Sequence, residues 1–225
     1  MHEALYAPGL GYYAAGLAKL AHRESLHVPQ AAVGDFVTAP ELSPAFGYTL
    51  ARQAFDVIKQ QDCPAILEFG AGSGQLAHDV LTELAKLGCH PNYFILEVSA
   101  DLRERQQTRL SPWASQVQWL DKLPSAFEGV VLANEVLDAM PVHLVGWADD
   151  GSVFERGVAL QQNQFTWQDK PANDALTAAL IAKMPALPGY VTEINLAAQS
   201  WMAQLSDWLN WGVALLIDYG FTERE

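Results

Sequence analysis

Five acidic or amide side chains in this 225-residue sequence follow short apolar runs, which puts polar groups at the ends of strands: Glu68, Glu97, Asn134, Glu135 and Asp218. The first opens the loop Glu68-Phe69-Gly70-Ala71-Gly72-Ser73-Gly74. Its glycines let the backbone pass close under a ligand, and the helix behind them offers free N–H groups to an anionic end. A dinucleotide fingerprint counted from Gly70 needs glycine at position 75, and that position holds Gln75. An acid at Glu68 suits a positively charged ligand better than a pyrophosphate. Read as structure alone, the loop is a tight strand-to-helix turn. Glu97 lies at the distance along the chain where an acid can accept hydrogen bonds from both ribose hydroxyls, a device that dinucleotide folds share. Asp121 follows a third apolar run.

A second set of residues suits an acceptor. Glu135 and Asp138 have a spacing that puts two carboxylates on one side of a helical turn, as a fork for a cation. Their alternative role is to cap or orient the loop. His143 is a proton acceptor by type and equally a structural histidine. Asp35, Thr38 and Glu41 cluster on the N-terminal segment, where they could serve either the cofactor or the acceptor.

The elements that must position these groups alternate. Residues 1–40 read as an irregular arm, and Ser43-Pro44 then caps a helix carrying Leu50, Ala54, Val57 and Ile58. Ala65 to Phe69 is a strand, and Leu76, Val80, Leu84 and Leu87 form a helix face that Gly88 stops. A second strand spans Tyr93 to Val98, a charged helix runs from Asp101 to Leu110, and further strands are expected at 117–120, 129–134 and 213–217. Val142 to Trp167, with the turn Asp149-Asp150-Gly151, reads as a hairpin insertion. Trp201, Leu205, Trp208 and Leu209 mark a last amphipathic helix, with Trp201, Trp208 and Trp211 as core rather than ligand-stacking rings. Strands alternating with helices predict an α/β fold with a mostly parallel central sheet covered on both faces, binding ligands at the carboxyl ends of its strands.

Composition narrows the partners. A net charge of −13, with 13 basic residues dispersed along the chain, argues against a nucleic-acid backbone and suits a cationic substrate. No run of about 18 apolar residues appears, and the N-terminus has no secretion signal, so no membrane insertion and a cytoplasmic location are expected. Cys63 and Cys89 lack zinc spacing and read as small buried hydrophobes, the histidines show no ligand spacing, and no metal is expected.

The pattern ExGxGxG at 68–74 resembles motif I of class I S-adenosylmethionine-dependent methyltransferases. Gly11-Tyr12-Tyr13, Gly34-Asp35-Phe36-Val37-Thr38-Ala39-Pro40-Glu41-Leu42-Ser43, Phe46-Gly47, Glu97-Val98-Ser99, Asn134-Glu135-Val136-Leu137-Asp138-Ala139-Met140-Pro141-Val142-His143 and Leu216-Ile217-Asp218-Tyr219-Gly220 together resemble the MidA-like methyltransferases. These are bacterial relatives of the mitochondrial complex I assembly-factor protein arginine methyltransferase. The resemblance implies a Rossmann-like methyltransferase fold and S-adenosyl-L-methionine as cofactor. With it, the residues expected to bind the cofactor are Glu68, Gly70, Ala71, Gly72, Gly74, Glu97, Asp121 and Asn134, and those expected by their chemistry to be catalytic are Glu135, Asp138 and His143. The implied activity is symmetric dimethylation of a protein arginine, for example on a respiratory-complex subunit. Methylation of a small molecule and a non-catalytic assembly role are the alternatives, with a nicotinamide dehydrogenase third. The expected organisation is an arm and helix at 1–60 packed on a cofactor domain at 61–225, with an insertion at 142–190. Relatives continue past Asp218-Tyr219-Gly220, so a fragment or a short member lacking the last antiparallel strands is expected.

Overall fold

The computed structural model describes residues 1–14, 37–62 and 64–220. They fall into two compact units, the described parts of Glu3–Ala139 with Leu205–Glu225, and Met1–His2 with Met140–Gln204.

In the first unit, β1 (Ala65–Phe69), β2 (Asn92–Leu96), β3 (Val117–Leu120), β4 (Phe127–Asn134) and β9 (Leu209–Ile217) form a parallel sheet in the order β3-β2-β1-β4-β9. Every residue of β1 is buried, as a strand covered on both faces must be. Alternation sends neighbouring side chains to opposite sides. Ile66, Val130 and Leu132 join a core with Ala51, Ala54 and Ile58 of α3 (Pro44–Ile58) and with Leu76, Val80 and Leu84 of α4 (Gln75–Lys86). Phe69 and Phe127, on the other face, lie against Trp208, the last residue of α7 (Leu196–Trp208). Ser43 caps α3 by accepting from the Ala45 N–H at 3.2 Å, with Pro44 in the first turn. The strand order reverses between β1 and β4, which opens the crevice where such sheets bind ligands.

The N-terminal segment carries more helix than its composition suggested. α1 (His2–Tyr6) and α2 (Ala39–Leu42) are both short helices, and α5 (Ala100–Arg109) takes the place of the charged helix. Trp208 is buried and Trp201 partly so, while Trp211 is 45% exposed, so that ring is not core. Cys89 is partly buried, and Cys63 lies outside the described residues. No helix among the described residues is long and apolar enough to cross a membrane.

The second unit is larger than a hairpin. β5 (His143–Trp147), β6 (Val153–Gln161), β7 (Gln164–Pro171) and β8 (Val191–Ile194) form an antiparallel sheet in the order β7-β6-β5-β8. Val145, Trp147 and Ile194 pack on Leu176 and Leu180 of α6 (Asp174–Lys183). The turn at 149–151 is present, closed by the Ala148 N–H on the Ser152 carbonyl at 2.8 Å. The β6–β7 turn escaped notice because Gln162 and Asn163, at φ 48° and 63°, replace the glycine such turns usually carry.

β4 and β9 approach closely where Gly129 pairs with Gly212. A Cβ on Gly212 would overlap the Gly129 carbonyl oxygen, and Gly212 sits at φ 121°. Gly212→Ala should cost at least about 2 kcal/mol of stability through overlap and backbone strain. Gly157→Ala, whose new Cβ would have its nearest neighbour at 3.8 Å, should be close to neutral. Thermal melts of both variants check this, and equal midpoints would contradict the close approach.

Candidate functional site

The loop after β1 is held from both sides. The Gly70 N–H donates to the Leu96 carbonyl at 3.1 Å, and Gly70, Gly72 and Gly74 take φ of 59°, 55° and 80°, a left-handed conformation that costs other residues about 1–2 kcal/mol each. Ser73 is buried between them; its hydroxyl donates to the Glu41 carboxylate and accepts from the Gln75 N–H at 3.2 Å. Glu41, buried on α2, therefore clamps the glycine loop, while Ala39 at the start of the same helix bonds Glu135, so this part of the N-terminal segment touches both. Thr38 precedes α2 and accepts at its carbonyl from the Glu41 N–H at 2.9 Å. Asp35 lies outside the described residues. Gln75, the residue that broke the dinucleotide fingerprint, is buried, donates to Asp79 at 2.9 Å and accepts from Arg109, so it ties α4 to α5.

Two carboxylates flank this loop. Glu68 is buried and accepts from the Tyr93 hydroxyl at 2.6 Å. Burial, joined by the nearby Glu97, pushes the Glu68 carboxyl up to about 7 against the opposing Tyr93 hydrogen bond. Glu97 follows β2; the Ser99 N–H holds one oxygen at 2.9 Å and the Gln106 side chain the other at 3.0 Å. Burial raises its pKa too, against those hydrogen bonds. Sequence reasoning missed Gln106, because it sits in a helix otherwise rich in charge and only the fold shows that it points inward. Asp121 is exposed and pairs with Arg103 at 2.7 Å. A glycine cradle, the N-terminus of α4 and an oriented carboxylate at the end of β2 fit a nucleoside bearing an amino-acid tail.

The acceptor candidates lie one strand away. β1 and β4 pair with Phe69 beside Ala133, and Val136 is the side chain that a Cβ on Gly70 would meet, at 3.6 Å. Asn134 ends β4, with its side-chain oxygen buried and without a hydrogen-bond partner among the described residues. Glu135 then takes φ 51°, a strained conformation of the kind concentrated at functional sites. Its N–H donates to the Ile217 carbonyl at 2.8 Å. The Asp218 carboxylate accepts from the Leu137 and Asp138 N–H groups at 3.0 and 3.2 Å, and Asp138 accepts from the Tyr219 hydroxyl at 2.7 Å. The segment is thus a turn anchored on β9, not the helical turn expected for the Glu135–Asp138 fork.

Burial first, then Asp138, raise the Glu135 pKa; Asp218 adds to this, and the Asn134 side chain and the Ala39 N–H oppose it. The Tyr219 hydroxyl is pushed up to about 12 by its bond to Asp138. Tyr6 donates to the Ala139 carbonyl at 2.7 Å and stacks on Tyr13 at 5.6 Å. Burial raises both tyrosines, with Asp138 contributing to each. This tyrosine rim was not singled out from the sequence, although Tyr13 and Tyr219 lie inside the quoted motifs. His143, at the start of β5 in the second unit, has Nδ1 2.6 Å from Glu155, which also accepts from Lys170 at 2.9 Å. Among the described residues, no group of three or more His, Cys, Asp or Glu is placed to hold a metal ion.

Residues 49–225 match the model of a family described as "Putative S-adenosyl-L-methionine-dependent methyltransferase". Over 183 residues the chain is 29% identical to the mitochondrial protein arginine methyltransferase NDUFAF7 of Xenopus tropicalis, covering 67% of this chain and 40% of that protein. Its Caenorhabditis elegans homologue is 29% identical over 137 residues, covering 50% of this chain and 32% of that one. A Burkholderia thailandensis structure described as a likely methyl transferase bound to S-adenosyl-homocysteine superposes with a TM-score of 0.85 at 42% identity, over 98% of this chain and 57% of that one. A native Burkholderia thailandensis structure gives 0.81 at 42% identity, over 99% and 56%. The chain thus spans less than half of these curated relatives and little more than half of those structures. Its parallel sheet and helices form the Rossmann-like methyltransferase fold.

Glu68 holds its proton up to about pH 7 in the folded protein and releases it near the ordinary value of 4.5 when unfolded. Folding is therefore favoured at low pH, and that contribution is lost as pH rises from about 4.5 through 7, on the order of 3 kcal/mol in full. Glu68→Gln should remove this dependence, so its melting midpoint should gain on the wild type between pH 5 and pH 8. A constant difference across that range would contradict the buried, protonated acid.

Proposed function

Because this chain belongs to the S-adenosylmethionine-dependent methyltransferase family, we propose that it binds S-adenosylmethionine on the loop from Glu68 to Gly74 and methylates an arginine side chain of a protein. One observation carries the acceptor half: the strained, acid-lined turn Glu135–Asp138, backed by Asp218 and rimmed by Tyr6, Tyr13 and Tyr219, one strand from the glycine loop. The names of the curated relatives support arginine as the acceptor, and the overall acidity of the chain favours encounter with a cationic segment.

The cofactor supplies a methyl group on a sulfonium, already activated for in-line displacement. The protein's part is alignment and charge. Glu97 would accept from the ribose hydroxyls, the N-terminus of α4 would face the carboxylate, and Glu68, buried and bonded by Tyr93, would fix the base of the loop beneath the cofactor. Glu135 and Asp138 accept guanidinium N–H groups and fix its plane, and the tyrosine rings offer faces to the cation. An arginine nitrogen carries no free lone pair while the guanidinium keeps all its protons, so a proton has to leave as the methyl arrives. Glu135 is the acceptor for that proton, since its raised pKa makes it a better base than an exposed carboxylate.

Incubation with labelled S-adenosylmethionine and arginine-containing proteins, read by mass spectrometry, tests this. Glu135→Gln should keep cofactor affinity and lower transfer by about 100-fold or more. Gly72→Val should abolish cofactor binding by filling the ligand's path. Transfer should fall on acidification at a pH above the ordinary carboxylate range, as Glu135 takes up its proton. Full transfer by Glu135→Gln, or label found only on small molecules, would overturn the arginine reading.

A further inference from the structure

We infer that Gln106 is the positioning residue for ribose recognition: it locks Glu97 and the glycine loop into one frame, so that the ribose hydroxyls are read only while its amide is in place. This rests on Glu97 being the ribose acceptor, as proposed above. Gln106 is fully buried within α5, a helix whose other residues are mostly charged and solvated. Its Nε2 donates to the Gly72 carbonyl at 2.9 Å and to Glu97 Oε2 at 3.0 Å, and its Oε1 accepts from the Trp119 indole N–H at 2.9 Å.

Three segments from different parts of the sheet meet on this one amide: the loop after β1, the end of β2, and β3. The amide has a single workable orientation. Turned over, its oxygen would face a carbonyl and a carboxylate while its NH₂ faced an indole that can only donate. Trp119 therefore fixes which way the donors point, and the donors fix Glu97. The remaining Glu97 oxygen is held by the Ser99 N–H, so the carboxylate is held at both ends before any ligand arrives. A ligand hydroxyl then meets an acceptor that needs no reordering, which is how preorganisation converts contacts into affinity. Packing agrees: a Cβ on Gly74 would come within 3.4 Å of the Gln106 Cα, so α5 rests directly on the loop. An apolar residue of the same length would fill this volume. The amide's three bonds instead go to two groups that face the cofactor and to the ring that orients them.

The test couples a side-chain change to a ligand change. Calorimetric affinities of S-adenosylhomocysteine and of its 2′-deoxy and 3′-deoxy analogues are measured on the wild type, Gln106→Met and Trp119→Phe. For the wild type, loss of a hydroxyl that bonds a carboxylate should weaken binding about tenfold or more. For Gln106→Met, S-adenosylhomocysteine should weaken about tenfold while the deoxy analogues change little, so that the hydroxyl penalty shrinks to within about threefold. Trp119→Phe keeps Gln106 but frees its orientation, and should shrink the penalty part of the way even if the Met variant folds poorly. An equal loss for all three ligands would make Gln106 merely structural and overturn the inference. Deoxy analogues binding the wild type as tightly as S-adenosylhomocysteine would instead remove Glu97 as ribose acceptor, and the inference with it.

Discussion

The register of β4 is the constraint on which the rest of the larger unit depends. On one flank it pairs Ala133 with Phe69, and on the other it pairs Asn134 with Ile217. Parallel strands end on the same side of a sheet, so this register brings the glycine loop after β1, the acidic turn after β4 and Asp218 after β9 to one edge. Gly129 and Gly212 approach closely near the start of this pair, and at its far end the Glu135 N–H reaches the Ile217 carbonyl while Asp218 collects two further N–H groups. A shift of one residue would turn every side chain of β4 to the opposite face and scatter these groups.

That edge gathers carboxyl groups whose burial resists ionisation. Glu68, Glu97 and Glu135 all have raised pKa values, with burial as the first cause in each. Burying carboxylates does not stabilise a fold by itself, and each is kept tolerable by specific donors: Tyr93 for Glu68, Ser99 and Gln106 for Glu97, Asn134 and Ala39 for Glu135. Perturbed carboxyl groups gathered at one end of a sheet are what mark this edge as a candidate site. The clamp of Glu41 on Ser73 extends this use of buried acids to the N-terminal segment, where one holds the glycine loop.

The second unit illustrates a different limit of local reading. Its first turn was visible in Asp149-Asp150-Gly151, yet β5 takes β8 as its other neighbour only after α6 has intervened. The His143–Glu155 pair depends on the β5–β6 register, and nothing in the local sequence around His143 points to Glu155 as its partner.

By itself the sequence determined what periodicity and glycine chemistry encode. β1, β3 and the stop of α4 at Gly88 lie where the apolar runs and the glycine put them, and the glycine pattern with Gln75 pointed to the cofactor class that the family match shows. Apolar patterning is a local property that survives in almost any context, so these elements were legible. Tertiary structure alone decided the direction in which polar side chains point. It turned Gln106 inward to three partners, gave Gln75 a structural role, set Tyr6, Tyr13 and Tyr219 about the acidic turn, and twisted Glu135 into a left-handed conformation. A glutamine or a tyrosine has the same composition whether it is solvated or bonded. Only the pairing of distant strands determines which of them must find a partner inside.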